Sequence, residues 1–351
     1  MIYFDNASTT CLSEKVKENI ISILDNFGNP SNLYKLGFQT KKVIENSRKQ
    51  VAKAINANND EIFFTSGASE SNNWILNNFK NIYSSNIEHS SIHNYNKYNE
   101  YDFTKEFDYS KINDKSLFCL MLVNNETGSI QNIKEICKKI HEHKGLFLCD
   151  ATQAIGNINV DVKKLGIDFL SFSGHKFHAP KGIGVLYIKK DIQKYIKPLI
   201  YGGKQENGFR GGTENIIGIS AIGIAIEEAV KNIQLRQDHC KKLKDYTIKL
   251  LKENNIDFII NGENTIDSIL NISIKGIDSE SFINYLDIND IYVSSGSACE
   301  SGELKNSYVL NVIGTDKNYI NGTIRLSFDL YNTFKDIEMF CESTKKYISL
   351  I

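Results

Sequence analysis

The sequence predicts an α/β protein in two parts: a large domain built on a mainly parallel sheet covered by helices, and a smaller α+β domain. Through the first half of the chain, short apolar strands alternate with helices, and strand after strand runs into Gly, Ser or Asp before the next helix begins. That alternation is the pattern of a parallel sheet with helical crossovers. After a long helical zone, about residues 215–254, the spacing of strands and helices changes, which sets off the second domain. The 351 residues are enough to bury a sizeable core without disulfide or metal staples.

Ile2 to Phe4 reads as a short strand before a polar turn. Glu14 to Leu24 places Val16, Ile20 and Ile23/Leu24 on one helical face. The turn cluster Gly28-Asn29-Pro30-Ser31 precedes a second helix, about Gln39 to Ile55. Glu61 to Thr65 is a short buried strand that enters Ser66-Gly67 and then a polar helix start, Ser69 to Asn72. Leu117 to Val123 is a strand and Ile133 to Lys144 a helix. Leu146 to Cys149 is a strand ending at Asp150, Phe169 to Phe172 one ending at Ser173-Gly174-His175, and Gly184 to Ile188 another. In the helical zone Ala221, Ala225 and Ala229 recur every four residues, as on a closely packed face. Ile269 to Ile274, Ile291 to Ser294 and Thr323 to Phe328 read as strands with helices between them. The expected large domain spans 13–240, and the small one joins 1–12 to 241–351.

Composition removes several classes. A net charge of −1 gives no electrostatic case for nucleic-acid or membrane-surface binding. The longest apolar stretch, Ile216 to Ile226, is too short to cross a bilayer, and the N-terminus lacks the basic region of a signal peptide. The seven cysteines are scattered, without a CxxC pair, as in a reduced cytoplasmic protein. Cys137, His141, His143 and Cys149 crowd together, but not at zinc spacing, so no metal site is expected.

In open α/β sheets ligands sit beyond the carboxyl ends of the strands, so the polar residues there carry the chemistry. Lys176, in Ser173-Gly174-His175-Lys176, follows a strand end; in a crevice its amine suits Schiff-base chemistry, and on an exposed loop it would be an ordinary lysine. Asp150 ends an apolar strand, where a carboxylate needs a cationic partner or caps the next helix; Gln153 lies three residues on. An Asp beside a pyridinium nitrogen together with a Schiff-base Lys is what a protein contributes to pyridoxal phosphate. Thr65 to Ser71 is a strand-to-helix turn that fits an anion, or simply a helix capped by Ser66 or Ser69. Arg325, among apolar strand residues, calls for an anion, either a substrate carboxylate or an internal partner. His89 and Asn125 are weaker signals alone, as is the anion-facing loop of Arg210 and Thr213. Cys299 lies within the small-residue run Ser294 to Gly302, where a thiol is accessible as a nucleophile once ionised.

Together these residues resemble the cysteine desulfurases of the class V aminotransferase family, pyridoxal-phosphate enzymes of fold type I. The matching blocks run almost the whole chain in the family's order: YFDNASTT, FGNPSN, FTSGASESNN, EHSS, VNNETG, DATQAIG, SFSGHKFHAPKGIG, FRGGTEN, SSGSAC and IRLSF. SSGSAC resembles the long-loop group, NifS- and IscS-like.

The resemblance implies the cofactor pyridoxal 5′-phosphate and a division of labour. Lys176 matches the Schiff-base lysine, Asp150 the partner of the ring nitrogen, and Gln153 that of the ring hydroxyl. Ala68, Ser69, Ser173 and His175 match the phosphate cradle, and Thr213 a residue that reaches the phosphate from the other subunit of a homodimer. His89 matches the histidine stacked on the ring with a proton-transfer role, Asn125 and Arg325 the clamp on the substrate carboxylate. Cys299 matches the cysteine that takes sulfur from L-cysteine as a persulfide, leaving alanine. A protein acceptor, for iron–sulfur cluster assembly or for tRNA or cofactor thiolation, is implied downstream. Other class V enzymes, a selenocysteine lyase or an aminotransferase, share most of these blocks; Cys299 in its loop favours the desulfurase. The chain departs from the pattern at Cys11, usually proline, at Glu300, at Lys305-Asn306, and at Asp329-Leu330 in place of the commoner Gly-Arg.

Overall fold

The computed structural model describes residues 1–295 and 307–351. In the first half, β1 (Ile2–Tyr3), α1 (Glu14–Ile23) and α2 (Lys35–Ala54) lead into β2 (Ile62–Thr65) and α3 (Ala68–Leu76). Next come β3 (Asn81–Ser85), α4 (Ser90–His93), β4 (Asn99–Tyr101), β5 (Ser116–Cys119), α5 (Ile133–Glu142), β6 (Leu146–Asp150), α6 (Val162–Leu165), β7 (Phe169–Ser173) and β8 (Gly184–Ile188). The second half holds α7 (Ile216–Lys231), α8 (Ile233–Glu253), β9 (Phe258–Ile260), β10 (Ile269–Ile274), α9 (Ser279–Ile288), β11 (Ile291–Tyr292), β12 (Ser294–Ser295), α10 (Tyr308–Val312), β13 (Thr323–Ser327) and α11 (Phe334–Ile348).

Seven strands form the large sheet in the order β2-β8-β7-β6-β5-β3-β4. Only β8 runs against its neighbours. It follows β7 through a short connection, which an antiparallel pair tolerates and a parallel pair does not. The central strands are apolar on both faces, as a sheet sandwiched between helices requires: Leu117, Phe118, Phe147 and Leu148 are all buried. One face packs on α2 and α7 through Ile44, Val51, Ile222 and Ile226. The other packs on α3 through Trp74, Ile75 and Leu76. The alanine repeat of α7 lies in the first interface. There a Cβ on Gly223 would come within 2.9 Å of Ser47 Cα, so small residues set the helix spacing.

A second, four-stranded sheet, β12-β13-β10-β9, packs against α8 and α11, with Leu243, Leu270, Ile324 and Phe340 in its core. Ile2 and Phe4 belong to this core, and β1 pairs with β11. Residue 240 lies inside α8, and Cys240 packs with the small sheet. Among the described residues no helix is long and apolar enough to cross a membrane.

Several elements differ from expectation. The helical zone is two helices, broken at Asn232. The strand expected to reach Val123 ends at Cys119, because the Met121 N–H turns to Glu88 Oε1 (2.8 Å). β3 and β4, rich in Asn, Ser, Glu and Tyr, carry no apolar alternation, and their polar side chains are satisfied inside the fold, as where Ser85 Oγ donates to Glu88 Oε1 (2.6 Å).

Candidate active site

The carboxyl ends of β2, β5, β6 and β7 converge on a cavity of about 250 Å³, roofed by the N-terminal turn and by β13. Ten of the expected site residues are brought together there: Ala68, Ser69, His89, Asn125, Asp150, Gln153, Ser173, His175, Lys176 and Arg325. Thr213 is exposed on the loop before α7 and does not line this cavity. Cys299 lies outside the described residues.

Asp150, the last residue of β6, is 4% exposed. Its Oδ2 accepts from Asn72 Nδ2 (2.9 Å) and its Oδ1 from the Thr152 N–H (2.9 Å). Both donors are neutral, so the carboxylate faces the cavity with its charge uncompensated by them. Asn72 is fixed in turn: its Oδ1 accepts from Ser171 Oγ and its Nδ2 also donates to Ser91 Oγ (2.9 Å).

Lys176 lies in the 3₁₀ turn after β7, and its Nζ donates to the carbonyls of Ala7 (2.7 Å) and Ser8 (2.6 Å). Gln153 Nε2 donates to the same Ala7 carbonyl (2.8 Å). The N-terminal turn therefore aims the amine and the amide together. His89 precedes α4, and its Nδ1 accepts from the Ser91 N–H (3.1 Å), so the ring's proton sits on Nε2. Burial lowers its pKa, Asp150 opposes that, and Lys176 reinforces it, which keeps the ring neutral. His175 is pushed down to about 4 by burial and by Lys176 and Lys181.

The start of α3 differs from the expected serine cap. Gly67 occupies the cap position, Ser173 Oγ accepts from the Ala68 N–H (2.7 Å), and Glu70 Oε2 accepts from the Ser66 N–H (2.8 Å). A Cβ on Gly184 would lie 2.5 Å from Gly67 Cα, so this close approach of β8 requires glycine.

Arg325, 4% exposed on β13, donates through Nη1 to the Asn125 carbonyl (2.7 Å) and through Nη2 to Asp5 Oδ1 (2.9 Å). The arginine thus has an internal partner, and it also lines the cavity. Three buried polar atoms on cavity-lining residues, Asn125 Oδ1, Thr152 Oγ1 and Arg325 Nε, have no hydrogen-bond partner among the described residues. Buried polar atoms are rarely left so, and a polar ligand would satisfy them.

Sequence reasoning missed Asp5, Asn72, Glu88, Glu126 and Tyr308. Glu88 is fully buried, and burial pushes it up to about 8 against hydrogen bonds from Ser85 and Met121, with Asp150 adding to the rise. Ser307 Oγ donates to Glu126 Oε2, and Tyr308 OH to the Glu88 carbonyl. Asn72 and Glu88 lie inside blocks already noted for other residues, so the signal present was a polar residue on an otherwise buried helix or strand end. Nearby, the crowded Cys137 and His141 have another use for the histidine: His141 Nε2 pairs with Asp168 Oδ2 (2.7 Å).

The aminotransferase class-V family matches residues 2–340, and this chain belongs to that family. It is 36% identical over 373 residues to the cysteine desulfurase IscS of Dictyoglomus turgidum, covering 99% of this chain and 94% of that protein. The solved NifS-like protein from Rickettsia africae is 32% identical, with a TM-score of 0.90 over 99% of both chains. The solved structure of SspA in complex with cysteine is 28% identical, with a TM-score of 0.80 over 95% of this chain and 100% of that one. These families are generally dependent on pyridoxal phosphate. The residues present fit that group: a buried carboxylate, an amine across from it, an anion-accepting helix start and unsatisfied polar atoms between them.

Proposed function

We propose that this chain is a cysteine desulfurase that transfers the sulfur of L-cysteine to Cys299 and releases L-alanine. The observation that carries the reading is the convergence of Lys176, Asp150, His89, Asn125 and Arg325 on one cavity, in a chain whose relatives are cysteine desulfurases. Pyridoxal 5′-phosphate would be held by Ala68, Ser69, Ser173 and His175 at its phosphate, Asp150 at its ring nitrogen, Gln153 at its ring hydroxyl, His89 on its face and Lys176 as covalent tether. When bound, it supplies the electron sink that makes the substrate Cα acidic.

Arg325 and Asn125 seat the substrate carboxylate, and the arginine's planar fork orients it. Lys176 takes the Cα proton, and neutral His89 can exchange a proton through Nε2. The Cys299 thiolate attacks the substrate sulfur: an S–S bond forms as the Cβ–S bond breaks, and Cβ gains a proton on the way to alanine. The product on the enzyme is a persulfide, to be passed to a protein acceptor in iron–sulfur assembly or in tRNA or cofactor thiolation. Thr213 would complete the phosphate site of a second copy. The exposed Phe27, Leu33 and Tyr34 between α1 and α2, with Phe38 in the first turn of α2, support a homodimer, because exposed apolar side chains of this kind are normally covered.

The test compares wild type, Lys176→Ala and Cys299→Ser in one titration with L-cysteine, following absorbance and alanine together. Lys176→Ala should lose both the resting absorbance near the visible edge and all turnover. Cys299→Ser should keep the spectral response to L-cysteine and lose alanine formation, since a hydroxyl is a far weaker nucleophile. Alanine made by Cys299→Ser at the wild-type rate would overturn the desulfurase reading in favour of a lyase or an aminotransferase.

A further inference from the structure

His178 lies two residues beyond Lys176 with φ 71, a left-handed conformation uncommon for a residue with a side chain. Its backbone is held on both sides: its N–H donates to Thr10 Oγ1 (2.8 Å), and its carbonyl accepts from the Ser13 N–H (3.3 Å). The imidazole spans two further segments. Nδ1 lies 2.9 Å from the Cys11 carbonyl, and Nε2 lies 2.9 Å from Asp329 Oδ2. Asp329 follows β13, the strand of Arg325, and also accepts from the buried Arg236 of α8.

A carbonyl oxygen has no proton to give, and neither has a carboxylate. A neutral imidazole carries one N–H, so it can satisfy only one of these two acceptors. Burial works against the charge on Asp329, but Arg236 and the His178 hydrogen bond outweigh it and hold the carboxyl below its ordinary range. Both ring nitrogens must therefore be donors. Among the described residues, the titratable groups around the ring are Asp329 and Tyr331 after β13, Arg236 from α8, Glu228 from α7 with its partner Lys15 from α1, and Cys11, whose carbonyl meets Nδ1. Glu228 is compensated by Lys15 of α1 (3.2 Å), which leaves the Asp329 carboxylate shared between Arg236 and His178.

We propose that His178 is a positioning residue that acts as an imidazolium, tying the N-terminal turn and the Lys176 turn to the end of the Arg325 strand. The Ala7 and Ser8 carbonyls that receive Lys176 Nζ belong to the same N-terminal turn as Cys11. Loss of the second ring proton sets a nitrogen lone pair against an oxygen lone pair, so one of the two ties must open. The lysine and the arginine then lose their fixed separation. That consequence for turnover rests on the desulfurase reading; the protonation state does not.

The experiment uses the full-length holoenzyme with ¹⁵N-labelled histidine, assigning His178 by the signals lost in His178→Gln. At neutral pH both ring nitrogens should resonate as protonated. An unprotonated nitrogen in the wild type overturns the proposal whether or not the chain turns over cysteine. Asp329→Asn and, with a smaller residue, Asp329→Gly remove the charged acceptor of Nε2, and kcat/KM for L-cysteine should fall roughly tenfold, as for one lost hydrogen bond to a charged group. An unchanged kcat/KM in a variant whose His178 signals show the lost proton overturns the positioning role.

Discussion

Arg325→Ala separates the two uses of this guanidinium. In the folded protein it bonds Asp5 Oδ1 at 2.9 Å and the Asn125 carbonyl at 2.7 Å, with Nε unpartnered among the described residues. Truncation strands Asp5, and breaking a buried pair from one side costs about 3–5 kcal/mol. The Asp5 side chain keeps 20% of its exposure and water can reach it, so the lower end of that range applies. The functional loss is a separate quantity. A hydrogen bond to a charged group is worth about 1.5–3 kcal/mol, so two such bonds to a substrate carboxylate amount to about 3–6 kcal/mol. That corresponds to a fall of roughly 10²- to 10⁴-fold in kcat/KM. Alanine formation against L-cysteine concentration measures the second effect and a urea melt the first. Asp5→Asn is the control: it removes the internal ion pair, lowers stability, and leaves the arginine for the substrate, so its kcat/KM should stay within about threefold of wild type by the size of one weakened neutral contact. If Arg325→Ala merely melts earlier while its kcat/KM equals that of wild type, the carboxylate clamp is refuted and the arginine is structural.

Glu88 holds a proton in the folded chain that the unfolded chain releases above 4.5, up to its raised value of about 8. Stability should therefore fall as pH rises through that window, by up to about 1.4 kcal/mol per unit; Glu88→Gln, which mimics the protonated acid, should flatten Tm against pH, and a variant with the wild-type slope would refute the assignment. Asp150→Asn should still bind pyridoxal phosphate by absorbance but lose roughly 10²- to 10⁴-fold in alanine formation, the counterpart of about 3–5 kcal/mol for an uncompensated buried charge; near-normal turnover would remove Asp150 from the site. Phe38→Glu places a charge in the exposed patch and should convert a dimer to monomer in sedimentation, with loss of turnover if Thr213 serves the second copy; an unchanged sedimentation coefficient would point to a different interface.

The local pattern of the chain determined much of this protein. Apolar runs ending in small or acidic residues marked β6, β7 and β8 to within a residue or two, since a strand buried on both faces must be continuously apolar and its ligand-facing end must be polar. Asp150 and Arg325 were legible for the same reason, each being a charged residue beside apolar neighbours, and Lys176 because it follows the end of β7. The tertiary structure decided what no local pattern carries. Strands β3 and β4 have polar sequences whose side chains are satisfied by distant partners, so nothing apolar announced them. Asp5 meets Arg325 across 320 residues, and Asn72 meets Asp150 across 78. His178 is an unremarkable loop histidine until folding sets the Cys11 carbonyl and Asp329 on its two nitrogens. Such pairings depend on the register and packing of whole elements, and hydrogen-bond geometry over 2.6–2.9 Å is fixed only when those elements are already in place.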